Sequence, residues 1–168
     1  MPRLFLAVSG FWLGMLVASW VMATVNFRTV DRVLGPAARP ELTSRLAALP
    51  AEERRLVLRH LVAEINRRMF GTWAVAQLVL GVVALLAAWR LDGAPRLLIG
   101  AALLLVIAQI AVLTPAIASV GRSIDFRPPP LPAEVARRFG ALHAAYAGAD
   151  LAKAVLVALA ALRIGGRA

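Results

Sequence analysis

The sequence predicts an all-α fold: an integral membrane four-helix bundle, one domain over residues 1–168, with an amphipathic helical loop between its first two spans. Three observations predict it. Hydrophobic residues make up 61% of the chain and its mean hydropathy is +0.77, against roughly 45–50% apolar in an ordinary soluble domain. Four apolar windows, Leu4–Val25, Phe70–Trp89, Leu97–Gly121 and Phe139–Leu162, reach the roughly 20 residues a spanning helix needs. Polar, arginine-rich segments separate them. A soluble fold of this length would leave a large contiguous apolar surface in water.

The first window follows Arg3 and could pass for a secretory signal ending at Val21-Met22-Ala23. Its apolar run is longer than the roughly 7–15 residues of a signal core, so it reads as a retained span. The next segment, 26–69, carries two proline-initiated helices. Pro40 and Pro50 suit a first helical position, and Glu52 and Glu53 sit where the amino-terminal dipole favours acid. In the second of these, Leu58, Leu61, Val62, Ile65 and Met69 recur at helical spacing, leaving Arg54, Arg55, Arg59 and Glu64 to solvent or headgroups. This amphipathic helix is expected to pack on the end of the bundle and run straight into the second span.

Spans two and three are joined by residues 90–96, whose Asp92-Gly93 and Ala94-Pro95 pairs mark a tight turn between antiparallel neighbours. Thr114-Pro115 interrupts span three near its end, where a kink is tolerated if neighbours satisfy the freed carbonyl. Pro128, Pro129, Pro130 and Pro132 then make an extended spacer before span four.

The formal charge is +10, which in a soluble protein would suggest nucleic acid. Here the cations lie between apolar runs, so their expected partners are the bilayer and its anionic headgroups, with no nucleic acid. Loops 26–69 and 122–138 share one side and hold thirteen cations, against five on the other. The positive-inside rule therefore places both loops in the cytoplasm and both termini outside. Arginine supplies 18 of the 19 cations in an alanine-rich background, a composition that suggests a bacterial inner membrane.

Cysteine is absent, which removes disulfides, thiolate metal sites and cysteine nucleophiles. There is no phosphate-cradling glycine loop, no His-Glu-x-x-His helix and no Gly-x-Ser-x-Gly elbow, so no enzymatic activity is expected. No cofactor or metal is expected either. The haem alternative would use His60 and His143, which the topology puts on one side, but His60 lies ten residues before span two.

The fourth span carries the most informative constellation. His143, Tyr146, Asp150 and Lys153 are spaced 3, 4 and 3 apart, so they fall along one stripe of a helix. Asp150 is roughly 16–18 Å from either end of its window at the helical rise, near the bilayer midplane. An intramembrane Asp or Lys costs about 2.5–3.5 kcal/mol, so the pair should face the bundle interior. Gln77 and Gln109 are candidate partners on spans two and three, with Ser9, Ser19, Thr24 and Thr114 further candidates. Two readings stay open: a polar seam that only holds the helices together, or a site for a solute, ion or proton.

Small residues can bring membrane helices into close contact. Gly10 and Gly14, extended by Ala18, form one such face on span one, and Ala144, Gly148 and Ala152 form another on span four. They are read as packing faces, usable within the bundle, in a homo-oligomer or against a partner in a larger membrane complex.

The carboxy-terminal half resembles the transmembrane protein 205-like family. The likeness lies in Leu113-Thr114-Pro115, in Arg122 soon after, in the run Phe139-Gly140-Ala141-Leu142-His143 and in Asp150-Leu151. The position of Asp150 is commonly Asn in that family, so the acid departs from the pattern. Asn26-Phe27-Arg28 stands where the family has an apolar-Pro stretch. The resemblance implies a four-span membrane protein and no particular chemistry. Function is thus expected to be either the binding or passage of a small species along the span-four seam, or an accessory role in a larger complex.

Overall fold

Helix α1 (Pro2–Val33) begins with proline in its first turn, where the missing N–H costs nothing, and runs eight residues past the apolar window. The computed structural model describes residues 1–36, 38–90 and 93–166. The turn reading at Leu91-Asp92 and the place of Arg167 in the charge count fall outside them. A short helix α2 (Pro40–Leu46) follows, then α3 (Ala51–Trp89), α4 (Ala94–Ala108), a π-helical turn over Gln109–Leu113, α5 (Thr114–Ile124) and α6 (Ala133–Gly165).

The proline punctuation is largely as expected. Pro40 opens α2, Glu52 and Glu53 occupy the first turn of α3, and the amphipathic segment continues into the second span as one helix of 39 residues. Pro50 caps α3 rather than entering it, and Pro132 does the same for α6. Gly93 takes φ +65° ahead of α4, a conformation that a side chain would strain.

Thr114-Pro115 produces a π turn rather than a simple bend. Proline has no N–H to continue the α ladder, and the backbone answers by widening one turn, with Thr114 N–H donating to Gln109 O five residues back. The helix then runs on to Ile124.

Four helical units, Pro2–Val33, Ala51–Trp89, Ala94–Ile124 and Ala133–Gly165, are long and apolar enough to cross a membrane, and the chain is an integral membrane protein. Large apolar side chains point away from the bundle, among them Leu97 at 75% and Leu162 at 70% exposure, an arrangement that lipid tolerates and water does not. Helix α1 packs on α3 and α6, and α4 packs on the same two, so α1 faces α4 across one diagonal and α3 faces α6 across the other.

One seam of buried residues recurs on all four units, with Met15, Val30, Asn66, Ala87, Val120 and Gly121 buried beside it. It consists of Phe5, Ser9, Trp12, Leu16 and Ser19 on α1, and Ala74, Gln77, Gly81, Ala84 and Ala88 on α3. Pro95, Ile99, Ala102, Val106 and Gln109 continue it on the third unit, and Asp150, Lys153, Val157, Ala160 and Ile164 on α6. Every step is three or four residues in strict alternation, the seam of a left-handed bundle with knobs set into holes.

That seam corrects two expectations. Gly10, Gly14, Ala144, Gly148 and Ala152 are off it and exposed on the outer surface, and a Cβ built on Gly10, Gly14 or Gly148 meets nothing within 4 Å. They do not pack within the bundle. The close approach is at Gly81, where a Cβ would stand 2.7 Å from Leu103 and 3.1 Å from Trp12. On the amphipathic part of α3, Leu61 and Ile65 are exposed and Asn66 is buried in their stead. Asn66 accepts that position because Asn26 Nδ2 donates to its Oδ1 at 2.7 Å.

Candidate functional site

Asp150 and Lys153 lie three apart on α6, close enough to pair across less than one turn, and both are sealed from solvent at 2% and 0% exposure. Lys153 Nζ stands 2.8 Å from Asp150 Oδ1 and also donates to Gln77 Oε1 and Gln109 Oε1. All three protons of the ammonium are thereby used. Gln109 Nε2 donates in turn to Asp150 Oδ1 at 3.0 Å and to the backbone oxygen of Tyr146 at 3.1 Å. Trp20 Nε1 donates to the second carboxylate oxygen, Asp150 Oδ2, at 3.1 Å, and Trp12 Nε1 lies 3.4 Å from Gln77 Oε1.

The network joins all four spanning units, and the Lys153 to Gln77 bond crosses the α3–α6 diagonal through the centre of the bundle. A buried ion pair adds little net stability against a hydrophobic replacement of equal volume, because desolvation offsets the attraction. What it does specify is register: only one sliding position of each helix brings these donors and acceptors together. The π turn belongs to the same arrangement, since Gln109 is its first residue and faces the seam.

The expected stripe splits at Tyr146. Asp150 and Lys153 enter the network with Gln77 and Gln109 as expected. Tyr146 contributes its carbonyl, while its ring packs edge-on against Phe70 with centroids 5.6 Å apart. His143 is exposed, with Nδ1 3.0 Å from Phe139 O of its own helix. Ser19 and Thr24 bond carbonyls of α1, and Ser9 Oγ and Thr114 Oγ1 are buried without a hydrogen-bond partner. The two tryptophan donors were not singled out in the sequence, although an indole N–H in an apolar helix needs an acceptor somewhere.

Beyond the network the two ends of the bundle differ. Towards the termini, Phe5, Trp12, Leu16, Ile99, Val106 and Val157 form a continuous dry core with buried alanines. Towards the loops, the helices leave a half-open cavity of about 520 Å³ with contributions from every spanning unit. Small residues make the room: Ala23 on α1, Ala63 on α3, Ala118 and Gly121 on α5. Phe27, Phe70 and Phe139 give it apolar walls, Tyr146 and Thr114 border it on the side of the network, and Arg28 and His143 lie on its lining nearer the loops.

A second polar cluster braces this end. Arg67 forms a forked pair with Asp125, at 2.7 and 3.2 Å, and a contact of 2.8 Å with Glu64. Burial works against the Arg67 charge, but the bonds to Asp125 and Glu64 outweigh it and hold the guanidinium above its ordinary pKa. The hydrogen bond from Arg67 holds Glu64 below the usual carboxylate value. His60 Nδ1 lies 3.2 Å from Asp125 Oδ2 and its ring rests on Phe126. The two histidines thus engage different partners, and no group of three or more His, Cys, Asp or Glu suited to a metal occurs among the described residues.

Compared with protein-family models, curated proteins and solved structures, the chain has no match.

Proposed function

We propose that this protein is a membrane-embedded binding module, which takes a small, largely apolar molecule into the loop-side cavity, with the Asp150–Lys153 network as the rigid floor of that site. One observation carries the reading: a cavity of about 520 Å³ walled by all four spanning units, within the roughly 300–1,000 Å³ of small-molecule sites and with the same mix of apolar walls and few polar groups. Binding is favoured over passage because the seam beyond Lys153 is filled by Phe5, Trp12, Leu16 and Ile99. Thr114, Phe139 and His143, which carry the resemblance to the transmembrane protein 205-like family, all line this cavity.

The test is a thermal-shift screen of the full-length chain in neutral detergent against small apolar and amphiphilic compounds. A ligand that binds only the folded protein raises Tm by mass action. The reading expects hits that vanish in Ala118→Phe, where the added ring occupies the cavity. Hits that persist undiminished in that variant would place binding elsewhere and end the proposal.

A second reading, an accessory subunit of a larger membrane complex, is favoured by the unpartnered small-residue faces at Gly10, Gly14, Gly148 and Ala152. It expects a stoichiometric partner on mild purification from native membranes, and recovery of a clean monomer or homodimer counts against it. In either role the distribution of arginines supports loops 26–69 and 122–138 facing the cytoplasm of a bacterial inner membrane. Labelling of Gly35→Cys from the external face alone, with Gly93→Cys protected, would reverse that orientation.

A further inference from the structure

We propose that the occupant of the cavity is a single-chain amphiphile with an anionic head, its charge held by Arg28 and its chain laid along Phe27, Phe70 and Phe139. This rests on the binding reading above and names the ligand class. Two cations line the cavity, Arg28 and Arg67. Arg67 is already neutralised by Asp125 and Glu64. Arg28 is exposed and has no ion-pair partner among the described residues, so it supplies the uncompensated charge on the lining.

Depth agrees with that division. Arg28 follows the end of the first apolar window at Val25 by three residues, about 4.5 Å at the helical rise, where a headgroup rests. From there the walls turn apolar, and Thr114 to Gly121 on α5 spans about 10 Å of helix. A cavity of about 520 Å³ is of small-molecule size, which suits a single-chain amphiphile. A head without charge would leave Arg28 no better paired than before, whereas a carboxylate or phosphate gives it a charge-assisted hydrogen bond.

The experiment is native mass spectrometry of the full-length chain released from neutral detergent, with palmitate, lysophosphatidate or uncharged hexadecanol added. The proposal expects one saturable palmitate or lysophosphatidate per chain, bound at least about tenfold more tightly than hexadecanol. Arg28→Gln removes that preference and Arg28→Lys keeps most of it. Ala118→Phe abolishes binding of all three probes, and Ala23→Leu serves as the second filling variant should the first fail to fold. Tighter binding of palmitate identifies a free carboxylate as the natural head, and tighter binding of lysophosphatidate a lipid phosphate; both support the proposal. Hexadecanol binding as tightly as palmitate, or a preference unmoved by Arg28→Gln, overturns the anionic head and leaves the cavity reading standing. If no probe saturates and the filling variants change nothing, both fall.

Discussion

The two halves of this bundle obey the same geometric rule and reach opposite results. On the terminal side, the seam positions carry Phe5, Trp12, Leu16, Ile99 and Val157, and they fill it. On the loop side, the small residues Ala23, Ala63, Ala118 and Gly121 leave room among Phe27, Phe70 and Phe139, and a hollow remains. The helices are held at one spacing by the Asp150–Lys153 network between the halves, so the loop side cannot close simply by collapsing. In lipid, where no hydrophobic effect drives helix to helix, a void next to a tied polar layer persists where a soluble core would contract.

The comparison is broken most violently at the layer between the halves. Asp150→Leu or Lys153→Met alone leaves an unpaired charge in the centre of the bundle and should cost about 3–5 kcal/mol. The double substitution should recover most of it, because the pair is replaced by apolar volume. Reversible unfolding in mixed micelles, run as a double-mutant cycle, measures the coupling. A double variant as unstable as the sum of the singles would show that the network does not act as a unit.

A matched pair of substitutions sharpens the contrast at the next scale. Ala102→Leu inserts bulk at a position with 0% exposure in the dry half and should cost about 1–3 kcal/mol by overpacking. Ala118→Leu makes the same change in the hollow half and should stay within about 0.5 kcal/mol of the parent. Equal costs at the two sites would mean that the halves are packed alike.

The smallest effect concerns the brace at the loop end. Glu64 has a pKa lowered from the ordinary 4.5 by its bond to Arg67, so its contribution is present above that value and is lost as pH falls through the lower, folded one. The Tm of the parent should therefore fall more steeply below about pH 4.5 than that of Glu64→Gln. Parallel acid profiles would show that Glu64 adds nothing to the Arg67–Asp125 pair.

How much of this was legible in the sequence follows from the solvent. The spans were legible because lipid demands long apolar runs, and the polar residues of span four were legible because a charge at midplane depth is conspicuous. Asp150 and Lys153 pointed inward as their cost requires, and Gln77 and Gln109 met them. Which apolar residues face inward was harder to read, because a helix in lipid is apolar on every face and hydropathy no longer marks the core. Gly10 and Gly14 matched a familiar packing pattern and lie outside, whereas Gly81 lies inside, close against Leu103 and Trp12.

A seam of alternating threes and fours can be extended from Asp150 and Lys153 to Val157, Ala160 and Ile164, and the same count works on every span. The stripe was therefore present in the sequence, but only its charged part stood out. His143 belongs to its numerical extension and yet is exposed on the cavity lining, its ring packed on Phe139 of its own helix. The cavity itself had no local signal. It depends on Ala23, Ala63 and Ala118 lining one space from three different helices, a coincidence that only the fold reveals.

The absence of native cysteine allows the hollow to be probed directly. Ala118→Cys and Ala102→Cys, each in the otherwise unchanged chain in native membranes, should be exposed to a small membrane-permeant maleimide and their labelling rates compared. Position 118 should be modified rapidly and position 102 protected for as long as the protein stays folded. Equal protection at both, or faster labelling at 102, would contradict a bundle that is dry on one side of its polar layer and hollow on the other.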